Sequence, residues 1–375
     1  MKNTALSVHN LYFRYPDYAG FKSRILFNSI NFELEEGSLA VMFGLPDSGK
    51  TTLSRILGGL IPRFTGGELK GDLLVYGKNV KDYKPYELME DIGIVFQNPE
   101  EEIFTTRCDT EVAFALESLG LKKDEIEYRV ERSLRAVDML KYKEKNPVYL
   151  SGGEKKRLLI ACILATDPSV WVFDEVFEEL DPWIRGTILS HIAENNKTVL
   201  ILSSKWLEIY RKIADVFFVL KNSEILSFTG QEYRDMNNTL RELGLKPEIV
   251  EKPKKLTDKK ISGSPILEVK DLAFFYGDKD DFSLKIDSFR LLEGEIVGIV
   301  GKNGSGKSTF AKILCGLLKP ESGSVIGKKG VALQPEDLNG TVGYLFQNPD
   351  YQIFLPTVEE ELKLGLKNIG MPSEE

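Results

Sequence analysis

The spacing G-x-x-x-x-G-K-[ST] occurs twice in this sequence, over Gly44 to Thr51 and over Gly301 to Ser308. Consecutive backbone N–H groups in such a loop can wrap a phosphate chain where a helix begins, because that terminus offers unsatisfied donors and a partial positive charge. Lys50 and Lys307 would reach the β- and γ-phosphates, and the hydroxyls of Thr51 and Ser308 would ligate Mg²⁺. The candidate phosphate-binding residues are Gly44, Ser48, Gly49, Lys50, Thr51 and Thr52 in the first loop. In the second they are Gly301, Asn303, Gly304, Ser305, Gly306, Lys307, Ser308 and Thr309. The loops differ at one telling position, Asp47 in the first and Gly304 in the second. Asp tolerates left-handed backbone better than most residues, but it sets an acid near the phosphates, so the first loop is expected to bind nucleotide less tightly than an Asp47→Gly variant.

Two further segments carry chemistry. Ser169 to Glu175 (S-V-W-V-F-D-E) is an apolar run ending in two acids; Asp174 can hold Mg²⁺ through water, and Glu175 can orient or deprotonate an attacking water. Leu150 to Glu154 (L-S-G-G-E) places Ser151 and Glu154 at capping-box spacing. A helix start needs no Gly152-Gly153 pair for that purpose, and two glycines beside a serine hydroxyl suit close approach of an anion.

The elements that must position these groups read as α/β. Leu39 to Phe43 and Glu295 to Val300 are short apolar runs ending in the glycine-rich turns, as buried parallel strands do. Helices are expected over Lys50 to Leu60 and Lys307 to Leu317, and an amphipathic helix over Asp124 to Leu140. Val170 to Phe173 and Val199 to Leu202 complete a largely parallel sheet flanked by helices. The repeat extends beyond the loops. L-S-V-H-N-L near the start matches L-E-V-K-D-L at Leu267 to Leu272, and V-F-Q-N-P with Gln97 matches L-F-Q-N-P with Gln347. Three matches in conserved order indicate a tandem duplicate. The expected organisation is a complete first copy over 1–235, a polar Lys-rich linker over 236–264 and the first part of a second copy over 265–375.

Composition bounds the function. The chain has 375 residues, 42% of them hydrophobic and 28% charged, which is ordinary for a globular protein of two or three domains. A net charge of −8 argues against affinity built on nucleic-acid phosphates. His9 and His191 are the two histidines, which excludes a multi-histidine metal centre. Cys108, Cys162 and Cys315 show neither disulfide-framework nor zinc spacing. No apolar run is long enough to cross a bilayer and the start does not read as a signal peptide, so work at a membrane is expected to go through a partner.

With these residues in view the chain resembles the ATP-binding-cassette (ABC) ATPases, L-S-G-G-E being similar to that family's signature sequence. The resemblance implies a P-loop NTPase fold with a helical subdomain, ATP and Mg²⁺ as cofactors, and head-to-tail pairing that sandwiches ATP between one P-loop and an opposite signature (Ser151, Gly152, Gly153). It further implies that Tyr15 and Tyr276 stack on adenine. Gln97 and Gln347 would contact Mg²⁺ and water, Leu180-Asp181 would form the D-loop, and Glu175, Lys50 and Gln97 would act in hydrolysis. More narrowly, Q-N-P-x-x-x-I-F and L-I-P-R-F-T-G-G (Leu60 to Gly67) are similar to energy-coupling-factor (ECF) transporter ATPases with two fused cassettes. That likeness implies a peripheral subunit on the cytoplasmic face of the membrane, driving a transmembrane coupling subunit and a substrate-binding membrane component in vitamin or metal-ion uptake. The competing readings are a soluble tandem cassette acting on ribosomes or DNA, and a non-hydrolysing nucleotide-binding regulator.

Two departures from the family pattern stand out. Ser204 occupies the place of the family's phosphate-contacting histidine, so a slow first cassette is expected. At the first copy's spacing, the second copy's signature and acidic pair would fall beyond Glu375. The second core is therefore expected to be incomplete. Neither site closes within one chain, and pairing of first cassettes from two chains, or with a partner ATPase, is expected to complete them.

Overall fold

In the computed structural model, residues 3–18, 20–229, 232–245, 263–276, 283–302, 304–328, 330–338, 341–346 and 352–368 are described. The chain forms two compact units, Met1–Lys252 and Pro253–Glu375.

The first unit begins with β1 (Thr4–Arg14), β2 (Ile25–Glu35) and β3 (Leu39–Gly44), then α1 (Lys50–Leu57), β4 (Glu68–Val75), β5 (Lys78–Asn79), α2 (Pro85–Asp91) and β6 (Ile92–Val95). A helical stretch follows with α3 (Cys108–Ser118), α4 (Lys123–Ala136) and α5 (Gly152–Thr166). The chain then returns through β7 (Val170–Asp174), α6 (Pro182–Glu194), β8 (Thr198–Ser203), α7 (Tyr210–Ile213), β9 (Val216–Lys221), β10 (Glu224–Thr229) and α8 (Tyr233–Glu242).

The six-stranded sheet has the order β10-β9-β3-β8-β7-β6, parallel except at the β9/β10 hairpin. Its central strands are apolar on both faces because both are covered. Leu39, Val41 and Phe43 enter a core with α3, α4 and α5, while Ala40 and Met42 enter another with α1, β1 and β2. Period-two alternation between two cores is what a continuous apolar run means in a doubly covered sheet. A second, antiparallel sheet, β2-β1-β4-β5, was not legible in the strand–helix alternation. Its strands alternate buried and exposed residues, as in β2, where Phe27, Ile30, Phe32 and Leu34 supply the buried set.

Helix ends fall short of the sequence-based bounds for local reasons. Helix α1 stops at Leu57, not Leu60, because Gly58 and the left-handed Gly59 (φ 69°) follow it. Helix α4 ends at Ala136, and Asp138 (φ 56°) turns the chain away from helix. The linker bound is also corrected. Residues 233–242 form α8, and Met236, Leu240 and Leu245 are buried in the first unit's core. The four-residue spacing of Met236 and Leu240 is helical, and it lies inside a stretch whose overall polarity suggested a linker. The remainder of the expected linker, 246–262, lies outside the described residues.

The second unit contains β11 (Pro265–Phe275), β12 (Ser283–Leu292), α9 (Lys307–Leu314), β13 (Ser322–Gly327), β14 (Ala332–Leu333), α10 (Pro335–Leu338) and α11 (Val358–Asn368). Its sheet, β12-β11-β13-β14, repeats the antiparallel sheet of the first unit. Helix α9 ends at Leu314, short of the expected Leu317, with Gly316 left-handed (φ 79°) just after it. The expected strand over Glu295 to Val300 is absent: the segment pairs with no strand among the described residues, and Ile296 and Val300 are 98% and 93% exposed. Its counterpart β3 is held between β8 and β9. No described segment of the second unit takes the place of those two strands, so apolar composition alone does not make this run a buried strand.

Candidate nucleotide site

The first loop leaves β3 at Gly44 and enters α1 at Lys50. A Cβ on Gly44 would collide with Ser48 Oγ, and one on Gly49 (φ 106°) would lie 2.6 Å from the Phe27 ring, so both positions require glycine. Asp47 adopts φ 61°, and Arg24 Nη2 donates to its carbonyl at 2.6 Å. Gly304 takes the same left-handed turn (φ 76°) in the second loop.

Lys50 is 4% exposed and bends back over its own loop. Its Nζ donates to the carbonyls of Gly44 (2.9 Å) and Leu45 (3.0 Å) and lies 3.2 Å from Glu175 Oε1. Glu175 follows the last residue of β7 with φ 52°, a conformation that costs a non-glycine residue about 1–2 kcal/mol. Its backbone is fixed on both sides, N–H to Leu202 O (3.0 Å) and C=O accepting from Lys156 Nζ (3.1 Å). Gln97 Nε2 donates to its Oε2 at 3.0 Å, and Ser204 Oγ donates to its Oε1. Thus Lys50, Gln97 and Ser204, drawn from α1 and from just beyond β6 and β8, converge on the Glu175 carboxylate just beyond β7.

Asp174 is fully buried at the end of β7. Burial pushes its carboxyl above the usual range, while hydrogen bonds from Ser54 and Thr51 pull the other way. Ser54 Oγ donates to Oδ2 at 2.9 Å, and Oδ1, near the Thr51 hydroxyl, is buried with no hydrogen-bond partner within geometric limits among the described residues. Ser48 Oγ is likewise buried and unpartnered. An unpartnered carboxylate oxygen beside the Thr51 hydroxyl is a hard-oxygen donor set, which fits Mg²⁺. Sequence reasoning missed Ser54, one turn along α1 from Lys50.

It also missed Glu178. This carboxylate, 6% exposed, accepts from Ser204 N–H (2.7 Å) and Ser203 Oγ (2.8 Å), fixing the turn that aims Ser204 at Glu175. The residue replacing the expected histidine therefore faces the acidic residue itself.

Ser151 is the N-cap of α5 in a reciprocal box with Glu154, its N–H donating to Glu154 Oε2 at 2.8 Å. Gly152 is exposed with open space about its Cα, while Gly153 is buried. Among the described residues no hydrogen bond joins Ser151–Gly153 to the phosphate loop of the same unit. Asp181 caps α6, accepting from Trp183 N–H at 3.1 Å. Tyr15 lies edge-on to Phe13 (4.8 Å) with its hydroxyl 2.9 Å from Thr52 Oγ1, at the loop's flank.

The second unit reproduces the loop geometry. Lys307 Nζ donates to the carbonyls of Gly301 and Lys302, both at 2.8 Å, and Tyr276 hydroxyl lies 3.5 Å from Thr309 Oγ1. Gly306 (φ 90°) precedes α9, and a Cβ on Gly301 would lie 2.7 Å from Ser305 Oγ. Ser308 opens the first turn of α9 beside Lys307. Asn303 and Gln347 lie outside the described residues.

The ABC transporter family model matches residues 27–178 and 284–371. The chain is 31% identical to a putative ABC transporter ATP-binding protein of Methanosarcina mazei, over 98% of this chain and 70% of that one. A similarly named protein of Caldanaerobacter subterraneus subsp. tengcongensis is 31% identical over the whole chain and 73% of its own length. Among solved structures, cbiO1 from Clostridium perfringens, described as part of the ABC transporter complex cbiONQ, superposes with a TM-score of 0.52 at 26% identity, covering 65% of this chain and 96% of that one. A dimeric ATP-binding cassette in a post-hydrolysis state, bound to ADP and Pi, shares the fold, with a TM-score of 0.54 at 21% identity over 60% of this chain and 98% of its own. The chain belongs to the ABC transporter family. It has the P-loop ATPase fold of an ABC transporter ATP-binding subunit.

Proposed function

We propose that this chain is the ATP-binding and ATP-hydrolysing subunit of an ECF-type importer for a vitamin or metal ion. One observation carries the reading: Lys50, Gln97 and Ser204 all meet the Glu175 carboxylate, beside an Asp174 oxygen that has no partner. In this reading Lys50, Ser48 and the loop N–H groups hold the phosphates, with Tyr15 against the base. Thr51, Asp174 and Gln97 hold Mg²⁺, which offsets charge on the β- and γ-phosphates when bound. Arrival of a γ-phosphate draws the Lys50 ammonium away from Glu175 and frees the carboxylate to orient water.

The domain reading follows: one cassette up to α8, and elements of a second over 265–375. Ser151–Gly153, not hydrogen-bonded to their own loop among the described residues, serve the loop of a second cassette, in a homodimer or with a partner ATPase. Lys307, Ser308, Thr309 and Tyr276 form the second nucleotide-binding face together with Gly301, Asn303, Gly304, Ser305, Gly306 and Gln347. No described helix is long and apolar enough to cross a membrane. Transport then requires a transmembrane coupling subunit and a substrate-binding membrane component, with this chain peripheral on the cytoplasmic face. The likeness to cbiO1, itself described as part of a transporter complex, supports this over a soluble role. A net charge of −8 weighs against nucleic acid. Ser204 in the histidine's place favours a second reading, a nucleotide-binding regulator without turnover.

The Glu175→Gln variant separates the two. On the ATPase reading it binds Mg·ATP but loses turnover at least about 100-fold. A parent chain that binds ATP without turnover at any protein concentration establishes the regulator instead.

A further inference from the structure

One of the three differences between the two copies of the segment that carries Gln97 lies at the end of its turn. In the first copy Q-N-P-E-E-E-I-F contains Glu102; in the second, Q-N-P-D-Y-Q-I-F contains Gln352. Two sets of bonds recur in both copies. Phe96 N–H donates to Glu102 Oε1 at 2.9 Å, and Phe346 N–H donates to Gln352 Oε1 at 2.8 Å. Glu111 accepts from the N–H groups of Phe104 and Thr105 (3.3 and 2.8 Å), and Glu361 accepts from those of Phe354 and Leu355 (3.0 and 2.8 Å). In the second copy the amide nitrogen also works: Gln352 Nε2 donates to Tyr344 O at 2.8 Å. An ionised carboxylate has no donor to offer in that role; a protonated one has.

We propose that Glu102 is a positioning residue that acts as the neutral acid, one oxygen accepting from Phe96 N–H and the other donating as the Gln352 amide does, toward the equivalent carbonyl of Ile94. The bond to Phe96 closes the turn that begins at Gln97 and aims its amide at Glu175.

The surroundings select that form. Glu101 flanks Glu102 on its own segment, Glu111 faces it from α3, Cys162 from α5 and Asp174 from β7. Burial pushes the Glu102 carboxyl up to about 8, the Phe96 N–H opposes this, and the carboxylates of Glu101, Asp174 and Glu111 add to it. A site that crowds acids around an acid disfavours its ionised form, while glutamine at the same place supplies both hydrogen-bonding functions at every pH.

The sign of the pH dependence follows. A carboxyl whose folded pKa lies above its unfolded value binds more protons in the native state, so its contribution is complete below about 4.5 and is lost as pH rises through about 8. Thermal unfolding of the full chain without nucleotide, from pH 6 to 9, tests this for the parent, Glu102→Gln and Glu102→Ala. The expected result is that Glu102→Gln unfolds at or above the parent temperature at pH 6. Its advantage then widens by about 5 °C toward pH 9, while Glu102→Ala, which strands the Phe96 N–H, lies below Glu102→Gln throughout. Parallel curves for parent and Glu102→Gln overturn the proposal, as does a Glu102→Ala variant as stable as Glu102→Gln.

The role toward Gln97 rests on the ATPase reading and has its own measurement. Mg·ATP turnover in the parent declines through about pH 8, and Glu102→Gln removes that decline. A chain without turnover refutes the ATPase reading but leaves the unfolding curves to decide the protonation state. Turnover that declines identically in both proteins refutes the positioning role alone.

Discussion

Replacing Asp47 by glycine tests how the first phosphate loop is built. Asp47 holds a left-handed conformation (φ 61°) that Gly304 supplies without a side chain in the second loop. Two effects of the substitution can be sized. Removing the Cβ relieves about 1 kcal/mol of backbone strain but adds roughly 0.5–1 kcal/mol of unfolded-chain entropy, so stability should change little. Affinity should change more. A carboxylate about 6 Å from a phosphate, in surroundings of effective dielectric about 40, costs about 1.4 kcal/mol, and salt screening halves this. Asp47→Gly should therefore bind Mg·ATP about three- to tenfold more tightly in calorimetry with a non-hydrolysable analogue, with a gain that shrinks as salt rises from 50 to about 500 mM. The bond from Arg24 to the Asp47 carbonyl is a backbone contact and survives the substitution. Equal or tighter binding by the parent, or a gain indifferent to salt, would refute the electrostatic reasoning.

Two other substitutions probe separate parts of the structure. Ser204→His restores a donor that can reach a γ-phosphate, and on the ATPase reading it should raise turnover by 10-fold or more, measured by phosphate release at saturating ATP; an unchanged rate would show that the Ser204–Glu175 contact already serves hydrolysis. Met236→Ala, in the stretch whose polarity suggested a linker, removes a fully buried side chain and should cost about 2–4 kcal/mol in denaturant unfolding. A cost below about 0.5 kcal/mol would return α8 to the linker.

The parts of the site within a single segment were legible because one stretch of sequence sets both residue types and backbone. Gly49 and Lys50, Asp174 and Glu175, and the Ser151–Glu154 box all lie where the motifs place them. Contacts that depend on tertiary closure were not legible. Glu178 and Ser203 lie 25 residues apart, and Ser54 and Asp174 lie 120 apart; nothing local signals either pairing. The run over Glu295 to Val300 illustrates the converse. Its composition matches β3 closely, but a strand is a relation between segments, and the relation is missing among the described residues of the second unit. Helix α8 was hidden by averaging, since Met236 and Leu240 are two apolar residues in a polar stretch, and only their spacing marks a buried stripe.

The bond between Lys50 and Glu175 works as an interlock. On the proposed function, the residue that would grip the phosphate and the residue that would activate water are ion-paired to one another. Nucleotide must compete with an internal partner before it is held, and its measured affinity is the difference between the two. A variant that removes the Glu175 charge should thus gain grip on ATP as it loses the means to cleave it. On the proposed reading, phosphate binding and water activation are thereby coupled through one ion pair.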